Sequence, residues 1–417
     1  MTTRRIEAAR DIAHERRITI ALFAAGLTTF ASMYSAQALL PSLSAAFGAT
    51  PARAALAVSL TTGFLALAII PVSALSSRIG RTKVMIGSAV TAAVIGLLLP
   101  LSPSLEVLLA GRAVQGIALA GVPAVAMAYL AEEIGGEGLG AAMGIYVAGT
   151  TIGGLAGRLI PAFTLDLASW RWAQAAASIA AAACTVWFVR WLPPSRGFVA
   201  RPAGIRTVLG DLGSQLRHRG LLALFGLAFV LMGGFVSMYN YLGYRLTSPP
   251  FELPEALAGL VFVLYLAGTA ASAASGRLTD RVGRSWVLGM SLIVMAIGLV
   301  VTIPDQIGTV ILGVLLYTAG FFGAHTAASA WVGAMAEGNR GAASSLYLFA
   351  YYLGSALVGG TAGIAYAHSG WLALVGGIGL LMVIAALLLA VSHRAHRGAV
   401  SVNAAAGDSG KAAPVEV

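Results

Sequence analysis

Apolar runs of about 20 to 28 residues follow one another along the chain, each closed by a short polar or turn-forming break. A helix needs about 20 apolar residues to cross the hydrocarbon of a bilayer, and longer runs cross with some tilt. The pattern predicts twelve such helices, near 18–40, 54–76, 82–102, 104–131, 139–164 and 169–192, then 221–245, 255–277, 285–303, 307–333, 342–367 and 371–391. Turn chemistry falls between them at Pro41, Pro51, Ser102-Pro103-Ser104, Gly135-Gly136, Pro193-Pro194, Pro249-Pro250, Pro304-Asp305 and Gly338-Asn339. Three stretches stand outside the spans. Residues 1–17 form a polar, basic tail. Residues 193–220 form a Pro-, Gly- and Ser-containing linker, in which Asp211 to Arg219 is expected to make a short surface helix. Residues 392–417 form a tail whose composition predicts disorder.

The two sets of six spans are copies. Gly276 to Arg284 reads GRLTDRVGR, and Ser73 to Arg81 reads SALSSRIGR, so that Gly80 matches Gly283 and Arg81 matches Arg284 at a separation of 203 residues. F-x-S-M-Y occurs at Phe30 to Tyr34 and again at Phe235 to Tyr239, 205 residues apart. Two features sharing one spacing imply a duplicated chain. A parallel repeat of this size predicts two pseudo-symmetric six-helix bundles, 18–192 and 221–391, with a solute path between them. Ala36-Gln37-Ala38 resembles a leader-peptide cleavage site, but cleavage there would discard the first F-x-S-M-Y copy, so the first span is expected to stay.

Composition adds orientation and excludes several classes. The chain is 58% hydrophobic and 10% charged, against roughly 25% charged residues in soluble domains, so lipid is the expected solvent. The net charge of +10 suggests a polyanion partner until its placement is considered. All Lys and Arg residues except Arg53, Arg112, Arg158, Arg171 and Arg245 fall in segments that an N-inside topology puts in the cytoplasm. The charge therefore reports orientation, with both termini cytoplasmic, and no nucleic acid is expected. The single cysteine, Cys184, rules out an intrachain disulfide. With no metal-ligand spacing, phosphate loop or nucleophile-base pair, neither a metal, a cofactor nor an enzymatic activity is expected.

Ionisable groups inside the spans are costly in hydrocarbon and so become candidates for function. Arg112 lies about eight residues into span 4, in Gly111-Arg112-Ala113-Val114-Gln115-Gly116. Arg158 closes the run Gly149-x3-Gly153-Gly154-x2-Gly157-Arg158 in span 5. Gly149, Gly153 and Gly157 share one helix face, which allows backbone-close packing. Arg112 is alternatively a structural arginine bonded to backbone carbonyls, and Arg158 one that reaches the outer interface. His325 in span 10 carries an imidazole whose ordinary pKa of about 6.5 suits a proton carrier, although a lone histidine is often a packing residue. Tyr34 with Gln37, Tyr239 with Asn240, Tyr265, and Tyr351 with Tyr347 are candidates for lining the path, whereas Tyr241, Tyr244, Trp170 and Trp172 are expected in an interfacial aromatic belt. Glu106, Asp166, Glu132 and Glu133 fall at span ends, leaving no carboxylate in the body of any span. A cavity with arginine and no carboxylate predicts a neutral or anionic substrate.

The hairpin Gly276-x-Leu278-x-Asp280-Arg281-x-Gly283-Arg284 resembles the cytoplasmic motif of the major facilitator superfamily, and the resemblance extends over nearly the whole chain. In that superfamily the motif locks the outward-open state. The first copy keeps Leu75, Arg78, Gly80 and Arg81 but has Ser73 and Ser77 for the Gly and Asp, which implies a weaker lock. The Arg112 segment resembles the fourth-helix signature of proton-linked members. The span 5 glycines resemble the fifth-helix antiporter signature, with Gly154 where that pattern has Pro and Arg158 where it has Gly. Ser169-Trp170-Arg171-Trp172 is also similar to the twelve-helix drug:proton antiporter branch. The resemblance implies a monomeric bacterial inner-membrane protein that rocks two bundles to export a small organic compound against protons. Proton-coupled uptake of an organic anion, and a non-transporting receptor, remain open alternatives.

Overall fold

The computed structural model describes residues 2–134, 138–198, 200, 205–336 and 339–409. The expected turns at Gly135-Gly136 and Gly338, linker residues Val199 and 201–204, and the last eight residues of the tail lie outside these. Among the described residues eleven helices are long and apolar enough to cross a membrane. The longest, Arg340–Ser409, is broken where Ser369 and Gly370 leave helical geometry, which makes twelve segments.

In chain order these are α1 (Thr2–Tyr34, continued through a 3-10 turn at Gln37–Leu39 into Leu40–Phe47), α2 (Pro51–Ile79), α3 (Arg81–Leu98) and α4 (Leu105–Leu119 and Gly121–Glu133 in line). α5 (Leu139–Leu165) and α6 (Trp170–Trp191) complete the first half. A linker helix, Ile205–Arg217, leads to α7 (Arg219–Thr247) and α8 (Glu255–Gly259, continued through a 3-10 stretch as Tyr265–Val282). The second half ends with α9 (Arg284–Val301), α10 (Ile307–Met335), α11 (340–368) and α12 (371–409).

Local sequence sets the ends of these helices. α1 closes at Gly48 in the left-handed conformation, and α2 opens with Thr50, whose side chain accepts from the Arg53 N–H, ahead of Pro51. Both basic hairpins turn on a glycine with positive φ, 108° at Gly80 and 90° at Gly283, a conformation that side chains disfavour. α12 runs on to Ser409, past Ser392, where composition predicted disorder. No proline interrupts that stretch and it holds three alanines beyond Val402, so extending an existing helix is easier than ending it.

Glycines let the helices of each half meet backbone to backbone. Cβ atoms at Gly149, Gly153 and Gly157 of α5 would run into the carbonyls of Phe23, Leu27 and Ala31 of α1, and one at Gly354 of α11 into Phe229 of α7. The α1–α5 crossing is thus repeated as α7–α11 at nearly the sequence repeat. Arginines recur in the same way at the ends of α3 and α9. Arg171 bonds the carbonyls of Pro100 and Ser102 at 2.7 and 2.8 Å, while Arg245 bonds Thr302, Ile303, Pro304 and Asp305. Each guanidinium neutralises the negative end of a helix whose last carbonyls lack partners.

The halves are held together at the end opposite the hairpins. Gln37 Nε2 donates to Asn240 Oδ1 at 2.8 Å, Tyr244 Oη to the Leu40 carbonyl at 2.8 Å, and the Ala256 N–H to Asp166 at 3.2 Å. Tyr241, Tyr244 and Trp170, expected in an aromatic belt, are buried instead. Tyr241 and Tyr244 sit in the seam because their hydroxyls find carbonyl partners there, which removes the reason for a tyrosine to reach water. Trp172 is 68% exposed, as a belt residue would be.

Candidate functional site

Arg158 sits at the centre of the seam, seven residues before the end of α5 and so about 10 Å below it. It is 2% exposed, and it touches both halves. Nε donates to Gln37 Oε1 of α1 at 2.6 Å, Nη1 to the Gly154 carbonyl at 2.8 Å, and Nη2 to Tyr265 Oη of α8 at 3.1 Å. Its guanidinium carbon lies 3.9 Å from the Tyr34 ring centroid, 4.4 Å from that of Tyr265 and 5.3 Å from that of Phe262. The aromatic faces hold the cation without cancelling its charge, and among the described residues no carboxylate pairs with it. A guanidinium has five N–H donors, and these bonds take three of them.

The two departures from the antiporter-like pattern explain each other. A Cβ at Gly154 would stand 3.2 Å from Arg158 Nη1, and its carbonyl is one of the arginine's acceptors. Proline there would crowd the guanidinium, so the glycine makes the arginine's position possible.

Gln37 extends the cluster to Asn240, so that Arg158, Gln37 and Asn240 form a chain from α5 through α1 to α7. Tyr239 beside it bonds Thr318 of α10 at 2.7 Å. From there an aromatic wall leads away from the closed end. Tyr239 and Tyr265 have centroids 4.8 Å apart, Phe235 stacks on Phe321 at 3.8 Å, and Tyr351 lies 4.8 Å from His325. His325 is half-buried, with Nδ1 2.9 Å from Tyr347 Oη. The structure therefore brings Tyr34, Gln37, Arg158, Tyr239, Asn240 and Tyr265 together, and sets His325 and Tyr351 further along the same wall.

Arg112 and Gln115 are not part of this cluster. Arg112 is 0% exposed and clamps three helices of the first half. Nε donates to the Ala57 carbonyl, Nη1 to the Ser32 carbonyl and Gln115 Oε1, and Nη2 to the Met33 carbonyl, at 2.6 to 2.9 Å. Ser32 and Met33 lie where α1 stops being α-helical, so their carbonyls are available and present the negative end of a helix. This is the carbonyl-bonded arrangement, and Gln115 passes it on to the Ala92 carbonyl of α3 at 3.0 Å.

The hairpin residues are far from this cluster. Arg81 pairs with Glu132 at 2.9 Å and bonds Ser76 at 2.6 Å within the first half. In the second half Asp280, Arg281 and Arg284 are exposed and, among the described residues, without a hydrogen-bond or ion-pair partner, as is Arg78. The pairing of Asp280 with Arg281, Arg284 or a helix terminus, expected from the motif, is not seen among the described residues, where all three side chains face outward. Sequence reading missed Ser59, whose buried hydroxyl has no partner among the described residues; Asn240, a candidate from the sequence, has a buried amide nitrogen in the same condition. A serine in an apolar span was the available signal.

Two related helical bundles, joined by one linker and meeting at a buried polar cluster, define a secondary transporter. The pattern of the Major Facilitator Superfamily matches residues 22–251 and 242–414, and the chain belongs to that superfamily. It is 42% identical over 383 residues to the inner membrane transport protein YnfM of Escherichia coli, covering 91% of each chain. It is 39% identical over 370 residues to the uncharacterized MFS-type transporter YybF of Bacillus subtilis, covering 89% of this chain and 92% of that one. Among solved structures, a bacterial homolog of the lysosomal transporter Spinster superposes with a TM-score of 0.75 at 15% identity, covering 91% of this chain and 97% of that one. A D-xylose-proton symporter superposes with a TM-score of 0.72 at 17% identity, covering 90% and 97%. These two likenesses show the fold. The relatives are transporters, not enzymes, and the chain is a multi-pass membrane protein.

Proposed function

We propose that this protein exports a small organic anion across the bacterial inner membrane in exchange for protons, by alternating access, as a monomer with both termini in the cytoplasm. The observation that carries this reading is Arg158, a buried cation shared by the two halves, with no carboxylate partner among the described residues and with three of its five N–H donors bonded to neutral groups. An anion placed there would gain charge-assisted hydrogen bonds that a cation could not make, and it would engage both halves at once. A neutral compound bonding the same donors is the weaker form of the same reading.

The remaining arginines outside the basic segments have other partners. Arg53 pairs with Glu106, Arg112 clamps backbone carbonyls, and Arg171 and Arg245 cap helix ends. His325, on the aromatic wall toward the hairpins, is the group assigned to proton exchange. With the hairpins cytoplasmic, closure at the far end together with an unengaged Asp280 corresponds to the inward-open state, ready to load substrate from the cytoplasm.

The test is reconstitution into liposomes with an imposed pH gradient and a matched panel of aromatic carboxylates, neutral amides and quaternary ammonium ions. Wild type should move the carboxylates outward in exchange for protons. Arg158→Gln, which keeps a hydrogen-bonding side chain, should lose at least about tenfold of that flux, the loss expected from removing one charged partner. Preferred export of the quaternary ammonium ions, or carboxylate flux unchanged by Arg158→Gln, would overturn the reading. Carboxylate flux only in the inward direction would assign uptake instead.

A further inference from the structure

We propose a second binding site, outside the transport path, for a neutral lipophilic compound that carries a hydroxyl or carbonyl group and arrives through the bilayer. A groove of about 530 Å³ runs along the seam between α2 and α11. Its walls are Leu56, Leu60 and Phe64 of α2 and Leu353, Leu357 and Ile364 of α11. That volume lies in the range of small-molecule sites, which are mostly apolar with a few placed polar groups. Phe64, Leu357 and Ile364 are 37 to 57% exposed on a membrane-spanning surface, so the groove opens to hydrocarbon.

The placed polar group is Ser59. It lines the groove, is 3% exposed, and its hydroxyl has no partner. Hydroxyls in apolar helices ordinarily bond back to the carbonyl four residues earlier, as those of Thr61, Thr62, Ser237 and Thr361 do here. Ser59 does not, and it faces Gly360, where a Cβ would sit 3.2 Å from Ser59 Oγ and crowd any group reaching the hydroxyl from the groove. An unbonded buried hydroxyl is costly, and a ligand hydroxyl or carbonyl would relieve that cost.

The surroundings select the occupant. The one charged side chain on the groove, Arg53, is paired with Glu106 at the exposed rim, so nothing inside favours a charged ligand. Ser59 lies nine residues beyond Thr50, about 13 Å along the helix. At that depth a phospholipid offers only methylene groups, which cannot bond a hydroxyl. The walls come from opposite halves, so a ligand in the groove binds only while α2 and α11 are together and holds the protein in that state.

Photolabelling of the full-length protein in liposomes tests this with azi-octanol, a neutral diazirine alcohol, and the corresponding diazirine alkane lacking the hydroxyl. In wild type the alcohol should label residues 56–64 and 353–364 well above lipid-facing Val94 and Leu98 of α3. Leu357→Trp, which fills the groove, should remove that excess. Ser59→Ala should lower labelling by the alcohol about fivefold, the worth of one hydrogen bond, and leave labelling by the alkane unchanged. Ser59→Ala deletes a hydroxyl that bonds nothing, so it keeps the fold and carries the test alone if Leu357→Trp is not produced. Even labelling of all lipid-facing helices, or equal response of alcohol and alkane to Ser59→Ala, would overturn the proposal. The second result would leave a groove for acyl chains only.

Discussion

Arg112 and Arg158 show how little a residue's type says about its work. Both are buried arginines at similar depths, and among the described residues neither has a carboxylate partner. Arg112 spends its donors on backbone carbonyls of one half, so its charge is absorbed by the ends of peptide dipoles. Arg158 meets two side chains and one carbonyl across two halves, none of them charged. Arg112→Leu should therefore unfold or destabilise the first half, by about 3 kcal/mol, since it leaves buried carbonyls unpaired. Reduced yield of monodisperse protein and a lower melting temperature in detergent would register that loss. Arg158→Gln should keep near-wild-type melting behaviour and lose anion flux. His325→Gln removes the imidazole while keeping a hydrogen-bonding group beside Tyr347. Flux should then persist down a substrate gradient but no longer respond to an imposed pH gradient, as measured by counterflow against gradient-driven transport.

At the scale of elements, helix crossings are set by where a side chain is missing. Gly153 meets the Leu27 carbonyl so closely that any Cβ must push α1 and α5 apart. Gly153→Val should cost about 1–3 kcal/mol by overpacking, read as a lower melting temperature, whereas Gly144→Val, with open space around it, should be tolerated. The spans, their hairpins and the glycine face of α5 were legible in the sequence because each depends on a local period: 3.6 residues per turn, a run length, or an i, i+4 spacing. The burial of Tyr241 and Tyr244 was not, because it depends on carbonyls far away in the chain, that of Gly359 in α11 for Tyr241 and that of Leu40 in the other half for Tyr244. The same holds for the candidate site. Arg158 stood out as a departure from a familiar pattern, but its position between the halves depends on the face that α5 turns to α1 and α8. The uncrowded approach to the Ser59 hydroxyl depends on Gly360, about 300 residues away in the chain.

At the scale of the whole molecule, the duplicated sequence became a duplicated architecture. The α1–α5 crossing recurs as α7–α11, Gly80 recurs as Gly283, and arginines cap both α3 and α9. Two similar bodies joined along a seam form a hinge-like pair, and a charge shared across that seam couples ligand to position. The most direct measurement of this account is the distance between spin labels at both ends in one preparation of Cys184→Ala protein. Ile79→Cys with Val282→Cys reports the hairpin end, and Leu167→Cys with Leu257→Cys the opposite end; all four positions are exposed. On lowering the pH from about 8 to about 5.5, across the imidazole range, the first distance should shorten while the second lengthens. Distances that both stay fixed, or that change in the same direction, would contradict two halves rocking about a shared centre.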